Sequence, residues 1–179
     1  MGPAGGDEDP AEAVRAALLA AATRLREAGT PDEAVADHVR PARVLGIARR
    51  PRLVPLGRVW RLGVLLLEAD GAVRATGSVT RAVPPGHPGH VAVSTEARRE
   101  VRAAAFRGPF EPGSTVHYDA PRLELTTEAL REGAEPLLLR GDRPLVRWSI
   151  SAGDDAARDL DAYLAERVDL LLHPPQGAS

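Results

Sequence analysis

The sequence predicts an α+β protein: a mainly antiparallel sheet built from two β-hairpins, with N-terminal, middle and C-terminal helices packed on one face. Three observations lead there. The stretch Arg58–Arg81, RVWRLGVLLLEADGAVRATGSVTR, holds two strand-like runs on either side of Asp70-Gly71, a dipeptide suited to a two-residue type I′ turn. The stretch Leu137–Ile150, LLLRGDRPLVRWSI, repeats that pattern around Gly141-Asp142. Before, between and after these hairpins lie segments whose apolar residues recur with a helical period.

In chain order, residues 1–8 are rich in glycine and acid and read as a disordered tail. Residues 9–173 form a single α+β domain, and 174–179 a second tail. Asp9-Pro10-Ala11-Glu12 carries the marks of a helix start: a carboxylate N-cap, proline at N1 and glutamate at N3. That helix is expected to reach about Ala28, stop at Gly29, and bury Val14, Leu18, Ala21, Ala22 and Leu25. Thr30-Pro31-Asp32-Glu33 repeats the start signal, which predicts a short second helix ended by Pro41. Residues 41–57 form a connector punctuated by Pro and Gly, with a short strand near Leu53 and Val54.

The first hairpin follows. Pairing outward from Asp70-Gly71 sets Leu66 opposite Ala75, Val64 opposite Gly77 and Leu62 opposite Val79, and these residues make an apolar face with Trp60. Arg61, Thr76, Ser78 and Thr80 fall on the polar face. The loop Ala82–His90, AVPPGHPGH, is too rich in proline for a regular element. Ser94 or Thr95 caps a helix over 95–107 with Val101, Ala104, Ala105 and Ala97 inward. Short strands are expected at Thr115–Tyr118 and Arg122–Leu125, and a brief helix from Thr127 to Glu132. In the second hairpin, Leu137, Leu139, Val146, Trp148 and Ile150 share a face. A final helix spans roughly Asp155 to Leu172 on the stripe Leu160, Tyr163, Leu164, Val168 and Leu171, and Pro174-Pro175 ends it.

Composition excludes more chemistry than it suggests. Aromatic residues are only 3% of the chain against 44% hydrophobic, so Leu, Val and Ala must fill the core. There is no Cys, Lys or Asn. That removes thiol nucleophiles, disulfides, zinc knuckles, iron–sulfur clusters, Schiff bases and lysine-dependent phosphate loops. No apolar run approaches a membrane span, and the acidic N-terminus is unlike a secretory signal. The expectation is a soluble cytoplasmic protein with no membrane partner.

Charge is uneven. From His38 to Leu67 stand seven arginines (40, 43, 49, 50, 52, 58 and 61) and no acid, while residues 154–170 carry six acids against two arginines. The basic run can serve as an anion site, but a net charge of −2 argues against nucleic acid as partner.

The candidate catalytic set is Ser78 or Ser94 as nucleophile, His87, His90 or His117 as base, and Asp119 as orienting acid. Arg61, Thr76, Ser78 and Thr80 are the candidate ligand-binding residues. Two imidazoles and a carboxylate from the two histidine segments could meet a metal, but their spacing is not that of a helix-borne pair, and no metal or cofactor is assigned. Arg140-Gly141-Asp142 reads as turn chemistry rather than an adhesion motif.

Two resemblances bear on function. Gly63 through Arg99-Glu100-Val101 has the hairpin–loop–helix rhythm of a Nudix hydrolase. The positions that should carry the metal-binding glutamates are Ala103, Ala104 and Val91, and the box glycine is Pro85. The segments GRVWRLGVLLLEADG, TRAVPPGHPGHVAVSTEARRE, FEPGSTV and DAYLAERVDLLL resemble a group of small uncharacterised proteins of actinobacterial type, some labelled glutaminase. That resemblance implies no catalytic motif here, since serine-type glutaminases use Ser-x-x-Lys. The leading expectation is a non-catalytic role binding a protein partner or a small polar ligand. The alternative is a small amidohydrolase using a Ser/His arrangement.

Overall fold

The computed structural model describes residues 9–39, 50–85, 93–133, 135–149 and 156–174, and the side chains of 93–95 lie outside that description. The protein is α+β with a mainly antiparallel, mixed sheet. The chain divides into two compact units: unit 1 is Met1–Pro31, Arg61–Ala75 and Arg122–Ser179, and unit 2 is Asp32–Trp60 and Thr76–Pro121.

Unit 1 opens with α1, Pro10–Glu27. It is capped by Asp9, whose carboxylate accepts from the Ala11 amide, and carries proline in its first turn. The predicted stripe Val14, Leu18, Ala21, Ala22 and Leu25 is buried, together with Ala11. Strands β3 (Leu65–Glu68) and β4 (Val73–Ala75) form the hairpin expected around Asp70-Gly71, one residue out of the predicted register. Leu65 faces Ala75, Leu66 faces Arg74 and Leu67 faces Val73. The reason is the turn. Gly71 has φ +85° but Asp70 is not left-handed, so the two-residue type I′ geometry is not formed. Instead the Asp70 carboxylate accepts from the Ala72 amide at 2.9 Å, and the Glu68 amide donates to the Ala72 carbonyl. Leu65, Leu66 and Leu67 are all buried, so this run is core throughout rather than alternating. Val64 is only half-buried.

The rest of unit 1 follows the second half of the chain. Helix α3 spans Thr127–Glu132 between an N-cap at Thr126 and a left-handed C-cap at Gly133. Strands β7 (Leu137–Arg140) and β8 (Arg143–Val146) form the second hairpin at Gly141-Asp142, and β9 (Arg158–Asp159) adds a third strand. Helix α4, Leu160–Leu172, starts at the cap Asp159 and buries Leu160, Tyr163, Leu164 and Val168. Helix α1 packs against α3, α4, β3 and β8. Trp148, expected in the core, is half exposed, two residues beyond the end of β8 at Val146. The strand expected at Arg122–Leu125 reduces to one bridge between Arg122 and Arg74.

Unit 2 corrects the reading of Thr30–Pro41. That segment is not a helix: Glu33–Val39 is strand β1. Its centre, Ala34-Val35-Ala36, is buried without alternation, and pairing on both sides outweighs the cap-like Thr30-Pro31-Asp32-Glu33. Strand β2, Arg52–Leu62, runs antiparallel to β1 with a bulge opposite Val35–Ala36, and its last two residues belong to unit 1. Strands β5 (Ser78–Arg81) and β6 (Thr115–Tyr118) complete the order β2-β1-β6-β5, in which only β1–β6 is parallel. Thus β5 does not extend the Asp70-Gly71 hairpin, as the predicted Leu62–Val79 pairing required. Val79 is 51% exposed rather than core.

Helix α2, Val93–Arg107, covers one face of this sheet. Val101, Ala104 and Ala105 pack with Ala34, Ala36, Leu53, Ala82 and Val116, while Ala97 is exposed. Small residues on both sides bring helix and sheet close together. Among the described residues no helix is long and apolar enough to cross a membrane.

Candidate functional site

The β1–β6 ladder collects the titratable groups of unit 2. Strand alternation sets Glu33, Val35 and His117 on one face, and Ala34, Ala36 and Tyr118 on the α2 face. His117 is 2% exposed, and its Nε2 lies 2.5 Å from Glu33 Oε2. It therefore pairs with Glu33, not with the Asp119 expected from sequence. Asp119 meets a histidine not considered from sequence: His38 Nδ1 is 3.8 Å from Asp119 Oδ2, and the His38 ring stands edge-on to Tyr118 at 5.5 Å between centroids. His117 was singled out from sequence and His38 was not, and neither pairing was legible, because each partner is remote in the chain.

Asp119 is the one non-glycine residue with positive φ among the described residues, at +52°. The neighbouring backbone imposes this. A Cβ on Gly77 would stand 2.1 Å from the Asp119 carbonyl oxygen, so β5 begins at a close approach that only glycine permits.

The candidate nucleophile Ser78 faces Tyr118 across the β5–β6 pair, while Val79 faces His117. Ser78 and His117 thus lie on opposite faces of the sheet. His38 shares the face of Ser78 but sits two strands away, about 10 Å at ordinary strand spacing, with Tyr118 between. Thr80 is half-buried opposite Val116, and Thr76 precedes the strand. Arg61 belongs to unit 1, so the four predicted ligand-binding residues do not form one strand face. Ser94 lies in the first turn of α2, but its side chain, like His87 and His90, is outside the described residues. Among the described residues no group of three or more His, Asp or Glu is placed to hold a metal ion.

A concavity lies elsewhere in unit 2, between the start of β2 and the C-terminal half of α2. A hollow of about 690 Å³ is walled by Pro51, Leu53, Pro55, Ala104 and Pro109, with Arg50, Arg52 and Arg107 around it. A second hollow of about 320 Å³ shares Arg50, Pro51 and Arg107 and adds Glu96, Arg99 and Glu100. Arg99 is paired with Glu96 at 3.4 Å. Among the described residues Arg50, Arg52, Arg107 and Glu100 have no ion-pair partner. Arg50 and Arg107 line both hollows, and a guanidinium presents forked donors suited to an oxyanion.

Sequence reading marked the arginine run but not this site. The signal was Arg50 and Arg52 in a segment without acids. What it lacked was Arg107, more than fifty residues away, which the fold brings to the same hollow. No protein-family model matches the chain, and no curated protein or solved structure matches it significantly.

Proposed function

We propose that the protein is a non-catalytic binding protein, and that the hollow between β2 and α2 holds a small ligand with an anionic group on an apolar body. The observation that carries this reading is that Arg50 and Arg107, neither with an ion-pair partner among the described residues, line a hollow walled by proline, leucine and alanine. The volume is in the range of small-molecule sites, which join mostly apolar walls to a few placed polar groups. The amidohydrolase reading has less support, since Ser78 has neither His117 nor His38 within reach across the sheet.

A titration with 4-phenylbutyrate, followed by amide NMR shifts, tests the proposal. The expected shifts map to Arg50–Pro55 and Ala103–Pro109, and Arg107→Ala weakens binding at least tenfold. An absence of shifts there, or shifts unaffected by Arg107→Ala, overturns it.

A further inference from the structure

The two adjoining hollows bring carboxylates as well as guanidinium groups onto one stretch of α2, and this narrows the ligand beyond a simple anion. On α2, Glu96, Glu100, Ala103 and Arg107 follow one another at spacings of four, three and four residues, so they form one stripe along the helix. The end nearer the N-terminus carries Glu96, paired with Arg99, and Glu100, which has no ion-pair partner among the described residues; the other end carries Arg107, with Arg50 lining the same hollow. The middle is Ala103, too small to interrupt the stripe.

Glu100 and Arg107 are seven residues apart, about 10 Å along a helix rising 1.5 Å per residue. An extended chain covers about 3.3–3.6 Å per residue. A peptide of three residues therefore places its terminal ammonium and terminal carboxylate at that separation.

Resting on the binding role proposed above, we infer that the paired hollows recognise a short peptide of about three residues with both termini free. Its carboxylate meets Arg107 and Arg50, and its ammonium meets Glu100. The C-terminal side chain enters the larger hollow, whose walls of Leu53, Pro55, Ala104 and Pro109 select an apolar group. The dipolar stripe disfavours a dianion such as a phosphate ester, which gains at the arginines but is repelled at Glu100.

Isothermal titration of the full chain with Ala-Ala-Leu, its N-acetyl form and its C-terminal amide tests this, with 4-phenylbutyrate and inorganic phosphate as comparison probes. Ala-Ala-Leu is expected to bind best. Acetylation should weaken it about tenfold, and amidation should abolish binding. Glu100→Gln, at an exposed helix position, should leave folding intact and remove the penalty of acetylation. If the acetylated and free peptides bind alike, the peptide inference fails while the anion site stands. If phosphate binds more tightly than the peptide, the inference also fails. If neither the peptides nor phenylbutyrate bind, both readings fall together.

Discussion

Tyr163 shows how much one hydroxyl can hold. The side chain is buried on α4, and its oxygen donates to the Leu62 carbonyl at 2.8 Å and accepts from the Val64 amide at 3.0 Å. Both partners flank Gly63, a turn residue at φ +62° whose absent Cβ leaves room for that oxygen. The Arg167 guanidinium lies over the same ring at 5.3 Å. Tyr163→Phe keeps the packing but leaves buried backbone groups unpaired, an expected loss of about 1–3 kcal/mol in urea unfolding. An unchanged midpoint would show that water replaces the hydroxyl. Asp9 supplies a second test. Hydrogen bonds from the Thr127 hydroxyl and the Ala11 amide hold its carboxyl below the usual aspartate value of 3.8. A depressed folded value means stability present above the ordinary carboxylate range and lost as pH falls through the folded value. Asp9→Ala should therefore be less stable than the parent at pH 7, with the gap closing below about pH 4; a gap independent of pH would contradict this.

Among the elements, local signals and remote partners divided the legible from the illegible. Helices α1 and α3 were readable nearly to the residue, since Asp9, Pro10, Thr126–Glu132 and Gly133 are caps and stops acting within one turn. The Gly141-Asp142 hairpin was readable for a similar reason, its two strands being joined by one tight turn. Strand β1 was not, because its strand character comes from β2 and β6 on either side, and β6 is about eighty residues away. The register of the β3–β4 hairpin moved by one residue because the Asp70 side chain, not a left-handed backbone, closes the turn. The candidate site was least legible: Asp119 was expected to orient His87, His90 or His117, but His117 meets Glu33 and Asp119 lies 3.8 Å from His38. The groove arginines were seen as a run, without Arg107 to make them a site. The apolar run Leu65–Leu67 carries its own prediction. Leu62 on β2 is fully buried while Val64 is half-exposed. Leu62→Asp buries an unpaired charge and should leave the chain unfolded by circular dichroism. Val64→Asp should fold, with a loss of about 1 kcal/mol. Equal effects would mean that Val64 is core as well.

For the molecule as a whole, the path of the chain matters more than any contact. It passes between units at 31/32, 60/61, 75/76 and 121/122, so unit 1 is assembled from three separated segments. A fragment of residues 1–121 contains all of unit 2 but lacks α3, α4 and the β7–β8–β9 sheet. Its leucines at 65–67, buried in the full protein, lose much of what accompanies them in unit 1. The fragment should aggregate, and light scattering should fall when all three leucines are replaced by serine. A soluble fragment, free of scattering, would show that α1 alone covers the hairpin.

The Tyr163 hydroxyl joins residues about a hundred positions apart, and synthesis runs in one direction. The Leu62–Val64 turn leaves the ribosome long before α4 is made. Unit 2 is complete in sequence once Pro121 has emerged, whereas the hairpin of unit 1 must wait for its latch. During that interval the turn lacks the hydroxyl that joins its two ends. The arrival of α4, bringing Tyr163, is the event that closes the turn.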